Sequence, residues 1–231
     1  TWPALAALAV RTSRMLLGSA VTPLARRRPW NLAREVATVD VLSGGRAVLG
    51  VGLGDTGGSI VEDSSFTRFG EERDERRRAE LLDEGLEILA GLWSGEPFGF
   101  RGKHFTLEDV SFTPTPVQRP RVPIWVGGGY PNPRPTARAL RWDGSLLYKE
   151  THGGPSAEMT PEDVAELRGR AGGRPFTIAV GGGRRWDDAA ALAAHVRAVE
   201  AAGADWWVEW VPPAEREAMR EAVRRGPVRG G

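Results

Sequence analysis

Two rhythms of apolar residues alternate along this chain. Leu32, Val36 and Val39 lie at i, i+4 and i+7 behind Pro29. That spacing predicts a helix opened by Pro29 and stopped by Gly44 and Gly45. Ala47 to Val51 is then a near-continuous apolar run, the pattern of a parallel strand buried on both faces. The helical rhythm returns at Leu82, Leu86, Leu89 and Trp93, predicting a helix from about Asp74 to Trp93, and at Leu192, Val196 and Val199, stopped by Gly203. Strand-like runs recur at 14–20, 123–126, 145–148, 176–180 and 206–211. Shorter helices are predicted over 3–11, 135–142 and 214–225, and another behind Thr160, an N-cap followed by Pro161 and Asp163.

Between these elements lie two other textures. Residues 56–70 are rich in Gly, Ser and Thr and read as a long loop. Residues 96–112 alternate aromatic and polar side chains around Gly102, which predicts a small hairpin outside the main sheet, followed by a proline-rich connector. About six main strands, each followed by a helix, make an α/β protein with a parallel sheet. Glycine or proline closes most of the strands at the C-terminal side, where such folds hold ligands.

Composition narrows the class. At 231 residues, with 41% hydrophobic and 26% charged, the chain reads as a single globular domain over 1–231 without internal repeats. A net charge of +1 argues against a general nucleic-acid binder. The absence of cysteine excludes disulfides, thiolate ligands and a cysteine nucleophile. No apolar run reaches the roughly 18 residues of a membrane span, and TWPALAALAV lacks a basic leader, so a soluble cytoplasmic protein is expected.

Five segments, LARRRPWNLAREVATVDVLSGGR, LGVGLGD, RRRAELLDEGLEILAGLWSGEPF, TPVQRPRVPIWVGG and AGADWWVEW, together resemble the luciferase-like monooxygenases. The resemblance implies a TIM-type (β/α)8 barrel with a hairpin insertion, FMN or coenzyme F420 as cofactor, and an unknown small organic substrate. Members commonly form dimers. The family pattern begins with two βα units, about 60 residues, before the helix matching TWPALAALAV. By that comparison about six of eight strands are present. A partial chain, a truncated start and a gap covered by another subunit are the three accounts. The family's His or aromatic residue near the end of the second strand has no counterpart, so the catalytic acid or base is unknown.

Candidate site residues follow from the resemblance. In GSAVTP, the residues Ala20, Val21 and Thr22 match a segment where the family often has a non-proline cis peptide against the ring; the matching bond is Ala20–Val21. The plain alternative is a strand end before Pro23. In GVGLGD, Gly52, Leu53 and Gly54 would line the cofactor and Asp55 would accept hydrogen bonds from ribityl hydroxyls or substrate; the alternative is a tight turn with Asp55 as a cap. Gly52, Gly54 and Gly57 also spell GxGxxG, a chance match because no helix is predicted to open at the third glycine. In WVGGG, Gly127, Gly128 and Gly129 precede a helix with Arg134 and Arg138, and a glycine nest there would offer N–H groups to a phosphate. A purely geometric turn is the equal alternative. Gly181 to Arg185 repeats that logic.

Charged residues add less. Arg26, Arg27 and Arg28 could attract the acidic tail of F420, although such a run is more often simply a solvated loop. Arg76 to Arg78 lie among Glu residues, where i,i+4 pairing suffices. His104, His152 and His195 have no partners at ligand spacing, so no metal site is expected; His152 alone sits in a loop at the ligand end. The sequence thus points to a flavin- or F420-dependent oxidoreductase. A non-catalytic flavin-binding barrel and an unrelated phosphate-binding barrel such as an isomerase are the alternatives.

Overall fold

In the computed structural model, residues 1–54, 69–151, 157–181, 183, 185–226 and 228 are described. The expected loop over 56–70 falls almost wholly outside them. Contacts divide the chain into two compact units, Thr1–Ile124 and Trp125–Gly231.

The first unit opens with α1 (Trp2–Ala9) and two strand fragments, β1 (Leu17–Gly18) and β2 (Thr22–Pro23). Both pair in parallel with β3 (Ala47–Gly52), which is buried at every residue. The single strand expected over 14–20 is therefore broken. Its register shows why: Gly18 faces Val48 and Thr22 faces Val51, so the first strand takes one more residue than its partner over the same span. An extra residue of this kind bulges out of the ladder. Between β2 and β3 runs α2 (Pro29–Ser43), with Pro29 in its first turn and Gly44 left-handed at φ 67° as its stop. Leu32, Val36 and Val39 are all buried. The fully buried carboxylate of Asp40 accepts the amides of Val117 and Gln118, tying the proline-rich connector to this helix. Then α3 (Glu75–Trp93) starts at Asp74, whose side chain accepts the Arg77 amide, and buries Leu82, Leu86, Leu89 and Trp93. The predicted hairpin is β4 (Phe98–Arg101) with β5 (Thr106–Val110), a separate antiparallel pair. Glu84 of α3 holds its turn by accepting the amides of Lys103, His104 and Phe105.

The second unit is four strands, β6 (Ile124–Tyr130), β7 (Gly144–Lys149), β8 (Thr177–Gly181) and β9 (Trp206–Val208), each parallel to the next. The helices α4 (Pro133–Ala139), α5 (Pro161–Arg170), α6 (Ala189–Ala201) and α7 (Arg216–Arg224) follow them in turn. Thr160 and Asp163 form a reciprocal capping box at the start of α5. Leu192, Val196 and Val199 are buried, and left-handed Gly203, φ 110°, stops α6. β9 ends three residues short of the predicted Val211, and β6 runs four residues past the predicted Val126. No helix among the described residues is long and apolar enough to cross a membrane.

Candidate functional site

The bulge between β1 and β2 rests on a buried chain of hydrogen bonds. Trp2 Nε1 donates to Thr22 Oγ1 at 3.2 Å, Thr22 Oγ1 donates to Ser19 Oγ at 2.8 Å, and Ser19 Oγ donates to the Gly50 carbonyl of β3 at 2.8 Å. Ser19 and Thr22 are buried, whereas Ala20 and Val21 between them are exposed. The chain thus lifts two small alkyl side chains onto the surface from a braced polar base. The Ala20–Val21 peptide is cis, the bond at which the family resemblance led one to be expected. Thr22 itself faces inward and belongs to the base.

At the neighbouring strand end, Gly52 is buried in β3 while Leu53 and Gly54 are half-buried. Gly54 is left-handed, φ 79°, a conformation that glycine adopts freely. Arg78 of α3, only 5% exposed, donates from Nη1 to the carbonyls of Leu53 at 3.1 Å and Gly54 at 2.8 Å. Sequence reasoning assigned Arg78 to surface pairing with its neighbours and missed it. A signal was there: Arg78 sits one turn before Leu82, in line with the buried stripe Leu82, Leu86, Leu89 and Trp93. Arg76 forms the expected i,i+4 pair with Glu80, whereas Arg77 pairs with Glu72, ahead of the helix. Asp55 lies outside the described residues.

The basic run has partners within the chain. Arg26 is 3.6 Å from Glu71, Arg27 pairs with Glu35, and the Arg28 guanidinium lies 5.8 Å from the Trp30 ring. His104 is also engaged, its Nε2 2.8 Å from Glu80. Lys103 and then His104, hydrogen-bonded to Glu80, pull that carboxyl down to about 2.

In the second unit the glycines of WVGGG are not a turn. Gly127, Gly128 and Gly129 are strand residues of β6, in register with Leu146, Leu147 and Tyr148 of β7. The nest expected at a helix start is replaced by an extended ladder, and α4 begins only at Pro133, capped by the Asn132 side chain. Gly128 is close-packed from within: a Cβ there would lie 2.5 Å from Pro135 Cβ. At the end of β8, left-handed Gly181 would clash with the Val208 carbonyl if it bore a side chain. Gly183 donates its amide to Glu158, whose carboxyl is half-buried; burial pushes that carboxyl above its ordinary value, against the opposing effect of the amide. Arg185 is taken by Glu209. His195 of α6 packs between Trp186 and Trp207, ring centroids 5.1 and 5.6 Å away, and burial lowers its pKa. Gly182, Arg184 and His152 lie outside the described residues. Among the described residues no cluster of three His, Asp or Glu side chains could hold a metal ion.

Comparison with known proteins gives this geometry a context. A family model described as luciferase-like monooxygenase matches residues 1–227. An F420-dependent glucose-6-phosphate dehydrogenase of Kineococcus radiotolerans is 37% identical over 125 residues, covering 54% of this chain and 35% of that protein. An F420-dependent hydroxymycolic acid dehydrogenase of Mycobacterium tuberculosis is 34% identical over 131 residues, 56% of this chain and 34% of the relative. The matched stretch is thus about a third of each relative's length. Among solved structures, an F420-dependent secondary alcohol dehydrogenase in complex with an F420-acetone adduct superposes with a TM-score of 0.61 at 19% identity, over 96% of this chain and 66% of that one. A Pseudomonas putida type II Baeyer–Villiger monooxygenase in complex with FMN gives 0.54 at 16% identity, over 84% and 56%. These likenesses show a shared fold, the luciferase-like (β/α) barrel, of which this chain carries a part.

Proposed function

The chain belongs to the luciferase-like monooxygenase family, and from that premise we propose that it binds coenzyme F420 and serves an oxidoreductase that moves hydride to or from a small organic substrate. Residues 1–231 are read as a single barrel domain of that family. The observation that carries the proposal is the braced bulge: Ala20 and Val21 stand exposed on a buried hydrogen-bonded base, next to the half-buried, glycine-bearing end of β3. This surface fits a flat ring, because Ala20 and Val21 offer only alkyl groups and Gly54 offers none. The cofactor supplies the hydride chemistry when bound, and the chain's residues supply contact and orientation.

Ala20, Val21, Leu53 and Gly54 are assigned to the ring. Thr22 and Gly52 support them from behind. The phosphate nest expected at Gly127, Gly128 and Gly129 is not part of this reading, because the three run in the β6–β7 ladder and Gly128 packs against Pro135. F420 is preferred over FMN because the relatives at 34–37% identity are named F420-dependent. Titration of the full gene product with F420 and with FMN, followed by cofactor fluorescence, tests this reading. Saturable quenching of F420, then turnover with an F420-reducing donor, is the expected result. Tighter binding of FMN would transfer the proposal to flavin chemistry, and binding of neither would overturn it.

A further inference from the structure

Arg78 stands inside the first unit at the junction of α3 with the end of β3, and its geometry is unusual for a strand end. In an extended strand, successive carbonyls point to opposite sides. Here the successive carbonyls of Leu53 and Gly54 converge on one nitrogen, Arg78 Nη1. Left-handed Gly54, whose Cα joins the two peptide planes, makes that convergence possible. A peptide's N–H points away from its own carbonyl, so the Gly54 amide is turned to the side opposite Arg78. Such amides, fixed in place by what holds their carbonyls, form donor sites for electron-rich atoms.

We infer that Arg78 is a positioning residue: it pins the Leu53 and Gly54 carbonyls so that the Gly54 amide faces the ligand as a donor to an acceptor atom of the cofactor. The inference rests on the cofactor reading above. A guanidinium suits this task because it remains charged at every working pH and carries its donors in a rigid plane. Arg46 provides the internal control. It precedes the first residue of the same strand and likewise donates to main-chain carbonyls, those of Ala9, Thr12, Met15 and Ser43. It therefore anchors the opposite end of β3, where parallel strands do not hold ligands.

The test compares Arg78→Met, Arg78→Lys and Arg46→Met in the full gene product, measuring melting temperature and the Kd for F420 and for FMN below all melting transitions. Arg78→Met should raise the Kd of the preferred cofactor about tenfold, the equivalent of one charge-assisted hydrogen bond. Arg78→Lys, which keeps a charged donor, should recover part of that loss. Arg46→Met should lower the melting temperature and leave the Kd unchanged. A wild-type Kd in folded Arg78→Met overturns the positioning role while leaving the cofactor reading intact. If Arg78→Met does not fold, Arg78→Lys decides alone: an unchanged Kd overturns the role and a raised one supports it. Failure of the wild-type protein to bind either cofactor removes the cofactor reading and this inference with it, and is distinguished by occurring before any substitution.

Discussion

Two strand ends in this chain are equally rich in glycine and are packed in opposite ways. β3 closes on Gly50, Gly52 and Gly54; β6 closes on Gly127, Gly128 and Gly129. At β3 the ladder stops at Gly52, the chain turns left-handed at Gly54, and hydrogen bonds reach it from both sides, Ser19 to the Gly50 carbonyl and Arg78 to the carbonyls of Leu53 and Gly54. At β6 the ladder runs through all three glycines, and the space that a side chain would need at Gly128 is taken by Pro135. Missing side chains leave room for the proposed ligand in the first case and are filled by the chain's own helix in the second. Composition alone does not separate the two; what packs against the bare Cα does.

The largest effect should come from filling the occupied end. Gly128→Val puts a branched side chain against the rigid ring of Pro135, where even the first carbon would sit at 2.5 Å. Overpacking of this kind costs about 3 kcal/mol, a loss of several degrees in melting temperature that calorimetry would register. Cofactor affinity, measured while the variant is folded, should stay at the wild-type value. A variant that melts normally but binds cofactor weakly would break the comparison and make Gly128 a ligand contact.

A smaller effect is expected at the braced end. Thr22→Val keeps the shape of the side chain but removes the hydroxyl that accepts from Trp2 and donates to Ser19. One buried indole N–H then lacks an acceptor, at a cost of about 2 kcal/mol. Here stability and binding should fall together, because the exposed Ala20–Val21 step rests on this base. Equilibrium denaturation and F420 titration on the same sample would measure both, and an unaltered Kd would detach the bulge from the ligand.

Much of this arrangement was legible in the sequence. The helices could be read because their signals are local: the Leu32, Val36, Val39 spacing, the Gly44 stop and the Thr160–Asp163 box each lie within a few residues. The hairpin was equally plain from its alternation around Gly102. What escaped depended on partners distant along the chain. The break of the first strand into two registers is set by β3, some thirty residues on; no hydrophobic pattern between Arg14 and Pro23 marks it, and only the family likeness of GSAVTP singles out the Ala20–Val21 bond. Gly127 to Gly129 read as a turn because a run of glycine without its β7 partner carries no strand signal. Arg78 was hidden by its neighbours, since Arg76 and Arg77 really do make surface pairs. Only its place on the Leu82 stripe marked it as buried.

The same contrast extends to charge, and this sets the smallest expected effect. The part-exposed positions described at the bulge and at the end of β3, Ala20, Val21, Leu53 and Gly54, carry no titratable side chain. In the second unit the half-buried carboxyl of Glu158 meets the Gly183 amide just past β8, and burial raises its pKa above 4.5. A carboxyl raised in the folded state favours folding while it is protonated, so its contribution is complete below pH 4.5 and is lost as pH rises through the folded pKa. Glu158→Gln mimics the protonated form. It should therefore match the wild type in acid and melt slightly higher near neutral pH, whereas Thr22→Val should lower the melting temperature by a similar amount throughout. Melting curves of the three proteins from about pH 4.5 to about pH 7.5 separate these behaviours. A Glu158→Gln variant that melts lower than wild type at neutral pH would mean that the ionised carboxylate, accepting from Gly183, outweighs its burial, and that the end of β8 is held by charge as firmly as the Ala20–Val21 bulge is held by the neutral hydrogen bonds of Trp2, Thr22 and Ser19.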